Sequence, residues 1–217
     1  MGQTVLFTPG AGERIDDFRP YQDTLDVIKG LGYTTHFVEI EWGEPENGSC
    51  ALADDVKDTL RSVYDSYDDP AKVILAGFSF GALASLRVAA ERPPAATWCF
   101  SLAPFFKEDM TPEFLGNLKG TYGPGELESY QRISFAALAR QVACPVELFI
   151  GQQEGSVALD RSTAALQALS ATGVHLTIAP DTGHDVTNPH YLKAIQTRLQ
   201  ATRNTEVAGH GKAPDLS

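Results

Sequence analysis

The segment Gly77-Phe78-Ser79-Phe80-Gly81 sets one serine between two glycines. It follows the apolar run Val73-Ile74-Leu75-Ala76 and leads into the Ala- and Leu-rich stretch 82–90. A serine hydroxyl is a weak nucleophile until a base takes its proton and a fixed turn presents it. A sharp passage from strand to helix supplies such a turn. It exposes the hydroxyl at the carboxyl edge of a sheet, beside the N–H groups of a starting helix. The string alone is weak, since about one chain in ten to twenty of this length would carry it by accident. A glycine-rich turn that holds a phosphate is the competing reading of Ser79. The order of the flanking elements favours a nucleophile.

A serine presented in this way takes its partners in the order Ser, acid, His along the chain. The last strand-like run is Val174–Ala179, and Pro180-Asp181-Thr182-Gly183-His184 follows it. His184 is therefore the expected general base. His36 and His175 fall inside strand-like runs and read as partly buried structural residues. His190 opens the last helix, and His210 lies near the end. After the preceding strand-like run, Val146–Ile150, come Gly151-Gln152-Gln153-Glu154. Glu154 is the expected acid, accepting the second ring N–H of His184 and stabilising the imidazolium. Asp160 and Asp181 are its rivals. Two N–H donors must face the oxyanion of the intermediate. Phe80, after the nucleophile, is one; Ala11, in the loop Pro9-Gly10-Ala11-Gly12, is the other.

These residues need elements to carry them, and the chain alternates strand-like with helix-like segments. Strands are expected at Val5–Phe7, Thr34–Trp42, Lys72–Gly77, Thr97–Ala103, Val146–Ile150 and Val174–Ala179. Helices are expected at Phe18–Leu31, Ala51–Tyr67, Ala82–Ala90, Ser162–Ala171 and Tyr191–Thr202. Repeated strand–helix units imply a parallel sheet with helices on both faces, an α/β fold. With strand order 2-1-3-4-5-6, the first and third strands would be neighbours and their carboxyl ends would open on one crevice. Residues 1–203 read as one domain. Within it, about 105–141 reads as a small cap-like insertion after the fourth strand, broken by Gly123-Pro124-Gly125. Residues 204–217 read as a flexible tail.

Bulk properties narrow the function. The 217 residues suit a single domain. The net charge of -11 repels phosphate backbones, so nucleic acid is not an expected partner. No apolar run is long enough for a membrane span, and no signal-peptide pattern opens the chain, which makes the cytoplasm the expected location. Cys50, Cys99 and Cys144 are widely spaced and suggest neither disulfides nor a zinc site. Cys99 and Cys144 read as core residues. No metal site is expected.

With these motifs in place, roughly residues 1 to 200 resemble a small serine hydrolase of the α/β-hydrolase superfamily. Thr8-Pro9-Gly10-Ala11-Gly12 is similar to that superfamily's oxyanion loop, with Pro9 in place of the usual His. Gly77–Gly81 matches its elbow, and Gly183-His184-Asp185 its histidine loop. Cys144-Pro145-Val146 through Glu154 resembles its acid-bearing strand and loop, with Glu where Asp is commoner. The resemblance implies a minimal, all-parallel six-stranded sheet, because the superfamily's first hairpin has no counterpart. It implies cleavage of a small carboxylic ester or thioester through an acyl-enzyme, with no cofactor. A small-molecule acyl substrate is the expected partner, and the protein is expected to be a monomer or homodimer. Phe78, Phe105 and Phe106 are expected at the pocket, and core packing is the alternative reading of their rings. Arg14, Asp16 and Asp17 follow the oxyanion loop; they read as solvated charges, with the pocket rim as the alternative reading. Two alternatives stay open: non-hydrolytic chemistry on the same fold (acyl transfer, lyase or cyclase), and a catalytically inactive binding module.

Overall fold

The apolar run around Leu75 becomes the middle of the molecule. In the computed structural model, which describes residues 2–10, 19–40, 53–119 and 122–210, this run is strand β3, Val73–Phe78, buried along its whole length. Around it lie β1 (Thr4–Thr8), β2 (Thr34–Phe37), β4 (Ala96–Phe100), β5 (Val146–Gly151) and β6 (His175–Ala179). They form one six-stranded sheet in the order β2-β1-β3-β4-β5-β6. Every pairing is parallel. Parallel strands covered on both faces read as continuous apolar runs, and β3 does so; β5 is also buried along its length but carries Glu147, whose carboxylate accepts from Arg198 of the last helix. The edge strands β2 and β6 are only partly covered. His36 and His175 lie on them and are exposed, not partly buried as expected.

Alternate side chains of each strand enter two separate cores. Leu6, Val73, Leu75, Cys99 and Leu148 face one. There they meet helices α2 (Ala53–Asp65), α3 (Phe80–Glu91) and α7 (Ser156–Ala168). Val5, Phe7, Ile74, Ala76, Trp98 and Phe149 face the other. There they meet α1 (Gln22–Gly30) and α8 (Pro189–His210). Cys99 and Cys144 are buried in the first core, as their apolar surroundings implied.

Several boundaries differ from expectation. The second strand stops at Phe37, although Val38 still donates to the Phe7 carbonyl at 2.8 Å. The first helix begins only after a single turn at Arg19–Tyr21 that contains Pro20. The helix expected from Ser162 starts at Ser156. The final helix reaches His210, so the boundary expected at 203 falls inside it. Between β4 and β5 the described residues form a single turn at Lys107–Asp109 and the short helices α4 (Pro112–Leu118), α5 (Pro124–Gln131) and α6 (Phe135–Ala139). The last two pack on α2, α3 and α7. A buried pair fastens this stretch: both carboxylate oxygens of Asp109 accept from Arg161 Nε, at 3.0 and 2.9 Å. The Arg161 guanidinium also lies over the rings of Phe106 and Phe135.

The register prepares the site. Thr8 pairs with Gly77, Phe78 with Phe100, Phe100 with Phe149, and Gly151 with Ala179. The carboxyl ends of five strands therefore reach one edge together, and the loops that leave them share it. Ligand sites of open parallel sheets form at that edge.

Candidate active site

Ser79 stands between β3 and α3 with φ 52° and ψ -109°. Only Ser79, Ser101 and Asp181 among the described non-glycine residues have positive φ. Such a backbone is held by its surroundings. The Ser79 N–H donates to the Phe100 carbonyl at 2.8 Å, and its carbonyl accepts from Ala82 and Leu83 at 3.1 and 3.2 Å. The flanking glycines are sterically required. A Cβ on Gly77 would overlap the Gly81 backbone, and one on Gly81 would overlap the Thr8 carbonyl. The close approach at Gly81 presses the elbow against the end of β1. Phe80 opens α3, so its N–H belongs to the helix's first turn. The Gly10 N–H donates to Tyr21 Oη at 2.8 Å. Ala11, Arg14, Asp16, Asp17 and Cys50 lie outside the described residues.

His184 and Glu154 come together from the loops after β6 and β5. Gln152 N–H donates to the Ala179 carbonyl and Gln153 N–H to the Thr182 carbonyl, both at 2.8 Å. The two loops are thus zipped side by side. Gly151 permits this, because a Cβ there would overlap the Gly183 and Thr182 carbonyls. From the other face, Thr24 Oγ1 donates to the Val186 carbonyl at 3.1 Å and fixes the histidine loop to α1. The result is His184 Nδ1 at 2.9 Å from Glu154 Oε2. The carboxylate side chain is 2% exposed and the imidazole 49% exposed.

That asymmetry has chemical consequences. Burial pushes the Glu154 carboxyl up, but hydrogen bonds from His184, Ser101 and the Gly151 N–H outweigh it and hold it below 4.5. The group is therefore ionised and can only accept. Nδ1 of His184 must carry the hydrogen, which leaves Nε2 with its lone pair. The ring of Phe78, the residue before Ser79, lies 4.6 Å from the imidazole. It joins the elbow to the histidine loop.

The rivals for the acid are elsewhere. Asp160 is exposed on α7. Asp181 is exposed too, and its carboxylate lies 3.9 Å from His190. Phe105 contacts Phe80 with ring centres 5.0 Å apart, and also Phe114, Tyr122 and Tyr130. Phe106 was expected at the pocket mouth. It is instead fully buried, edge-on to Phe135 and beneath Arg161, which is core packing. Two residues were not anticipated. Ser101 Oγ bonds Glu154 Oε1 and lies 2.9 Å from Tyr191 Oη. Their one sequence signal is positional: Ser101 directly follows a strand that ends beside the elbow. No group of His, Cys, Asp or Glu suited to a metal occurs among the described residues. None of the described helices is long and apolar enough to cross a membrane.

Neither a protein-family model nor a curated protein sequence matches the chain. Solved structures do match it. The α/β-hydrolase domain-containing protein 10 from mouse superposes with a TM-score of 0.73 at 15% identity, covering 94% of this chain and 92% of that one. A hormone-sensitive lipase from a metagenome library gives 0.68 at 18% identity, covering 95% and 78%. A bromoperoxidase from Bacillus anthracis gives 0.69 at 13% identity, covering 94% and 92%. The shared sheet, the elbow and the order of the loops agree with these likenesses: the chain has the α/β-hydrolase fold.

Proposed function

We propose that the protein is a serine hydrolase that cleaves a small carboxylic ester or thioester, with Ser79 as nucleophile, His184 as base and Glu154 as acid. The observation that carries this reading is the 2.9 Å contact between a buried, ionised Glu154 and a half-exposed His184, on the sheet edge where Ser79 turns into α3.

In this reading Ser79 Oγ attacks the substrate carbonyl carbon as its proton passes to His184 Nε2. The charge formed on the carbonyl oxygen is met by the N–H of Phe80 and, from the loop beyond Gly10, that of Ala11. Collapse of the tetrahedral intermediate breaks the carbon–oxygen or carbon–sulfur bond. The leaving group takes the proton from His184, and the acyl group stays on Ser79. Water then attacks the acyl carbon, giving its proton to Nε2, and the acid departs as Ser79 recovers its hydrogen. Glu154 stays ionised throughout and stabilises the imidazolium. Phe78, packed on the imidazole, and Phe105, packed on Phe80, are largely buried beside the serine, and that apolar surrounding favours an apolar acyl group.

Exposure of the imidazole favours hydrolysis over acyl transfer, because solvent reaches the base. Similar structures include an esterase from Pyrococcus furiosus and a lipase, which supports ester chemistry. They also include a bromoperoxidase, so the fold alone does not choose the reaction. The test is rapid mixing with p-nitrophenyl esters. A burst of p-nitrophenol equal to the enzyme, with an acylated Ser79 in acid-quenched samples, is expected. Turnover that appears only with an added alcohol or amine would replace hydrolysis by transfer. Undiminished turnover in Ser79→Ala would end the nucleophile assignment.

A further inference from the structure

We propose that Ser101 and Tyr191 are positioning residues that hold Glu154 in the geometry its contact with His184 requires. The inference rests on the catalytic reading above and deepens it.

A glutamate reaches farther than an aspartate and has one more rotatable bond, so a single contact to the imidazole leaves its carboxylate free to swing. Here the second oxygen is pinned. Glu154 Oε1 accepts from Ser101 Oγ and from the Gly151 N–H, the latter at 3.1 Å. Oε2 is left for His184. The direction of each bond follows from hydrogen count. Ser101 has one hydroxyl hydrogen, and the carboxylate can only accept, so that hydrogen points to Glu154. The contact at 2.9 Å between Ser101 Oγ and Tyr191 Oη must then be donated by the tyrosine. Burial pushes the Tyr191 phenol well above its ordinary range, so it keeps its hydrogen at neutral pH. Ser101 and Tyr191 are both fully buried. Donation therefore runs from Tyr191 on α8 through Ser101 after β4 to one oxygen of Glu154 after β5, while His184 after β6 donates to the other oxygen.

The backbone of Ser101 adds an independent argument. Its φ is 52°, a conformation that glycine adopts without strain. A serine here carries a conformational cost, and its hydroxyl is what a glycine would lack. The Ser101 N–H donates to the Phe149 carbonyl at 2.7 Å, which fixes the residue between β4 and β5.

The test uses Ser101→Gly, which suits the backbone while removing the hydroxyl, and Tyr191→Phe, which keeps the ring. Ser101→Gly is expected to lower kcat about tenfold or more, the usual scale for a lost bond to a charged group. KM should stay within about twofold, because the substrate is not touched. Tyr191→Phe should act in the same direction and less. Neither change should lower kcat further in a Glu154→Gln background, since both act through that carboxylate. A second readout needs no substrate. The Nδ1 proton of His184, followed by NMR with labelled histidine, should be sharp and downfield in the wild type. It should vanish in Glu154→Gln and weaken in Ser101→Gly. A folded Ser101→Gly protein with wild-type kcat and an unchanged Nδ1 proton overturns the proposal. If the wild type is not acylated by esters at all, the hydrolase reading fails, and the Nδ1 proton still decides whether Ser101 positions Glu154.

Discussion

In the proposed mechanism, Glu154 is the side chain on which the other groups depend most. Buried among three donors, it is ionised where an isolated buried carboxyl would not be. Replacing it with Gln keeps the shape but lets the wrong ring nitrogen of His184 carry hydrogen. Glu154→Gln should lower kcat by roughly 10²- to 10⁴-fold, read from ester turnover. Glu154→Asp is a sharper probe, because a side chain one carbon shorter cannot meet both Ser101 and His184. It should cost about 10- to 100-fold, as displacements near 1 Å do. The same residue sets a pH dependence of stability. Its folded value lies below its unfolded value of 4.5. Its contribution is therefore complete above pH 4.5 and lost as pH falls through the folded value. Denaturant unfolding of wild type and Glu154→Gln across that range should show the two converging at low pH.

At the scale of elements, glycines determine how closely the loops meet. Gly81 lets α3 start against the end of β1, and Gly151 lets the acid loop lie on the histidine loop. Gly81→Ala would force a methyl group into the Thr8 carbonyl. It should destabilise the protein by about 1–3 kcal/mol and misplace Ser79. Gly151→Ala should push Gly183 and His184 outward, lowering turnover more than the melting temperature. Thermal melts and ester assays on the same samples separate the two effects. This is also the scale at which sequence reading succeeds and fails. The apolar run of β3 and the glycines around Ser79 mark the elbow without any coordinates. His184 and Glu154 stand after the last two strands, so chain order alone brings them to one edge. Ser101 could not be read in this way. Its hydroxyl has meaning only because Glu154, far along the chain, bends back over it. Phe106 misled for a related reason: an aromatic residue after a strand can turn into either the pocket or the core, and Arg161 on a distant helix draws it into the core. The second strand ended early because alternation of apolar residues continues beyond the paired segment, at Val38 and Ile40.

Across the whole molecule, one continuous parallel sheet carries Ser79, Glu154 and His184, so their arrangement should be lost only when the sheet is lost. The Asp109–Arg161 pair ties the stretch between β4 and β5 to α7 inside that unit. Arg161→Met would take the cation from the Asp109 carboxyl, which burial already pushes up, and breaking a buried pair in this way typically costs about 3–5 kcal/mol. Urea unfolding of the variant should show a lower midpoint and still a single transition. Two separate transitions would mean that the short helices fold independently of the sheet. The proposed chemistry turns on one oxygen at the sheet edge, the Ser79 hydroxyl, and covalent labelling reads its reactivity without a natural substrate. The protein should be incubated with an alkyl fluorophosphonate at neutral pH and its intact mass measured. One adduct is expected, located on Ser79, absent from Ser79→Ala and formed far more slowly in Glu154→Gln. No adduct on the folded wild-type protein, or an adduct that persists in Ser79→Ala, would rule out Ser79 as the nucleophile.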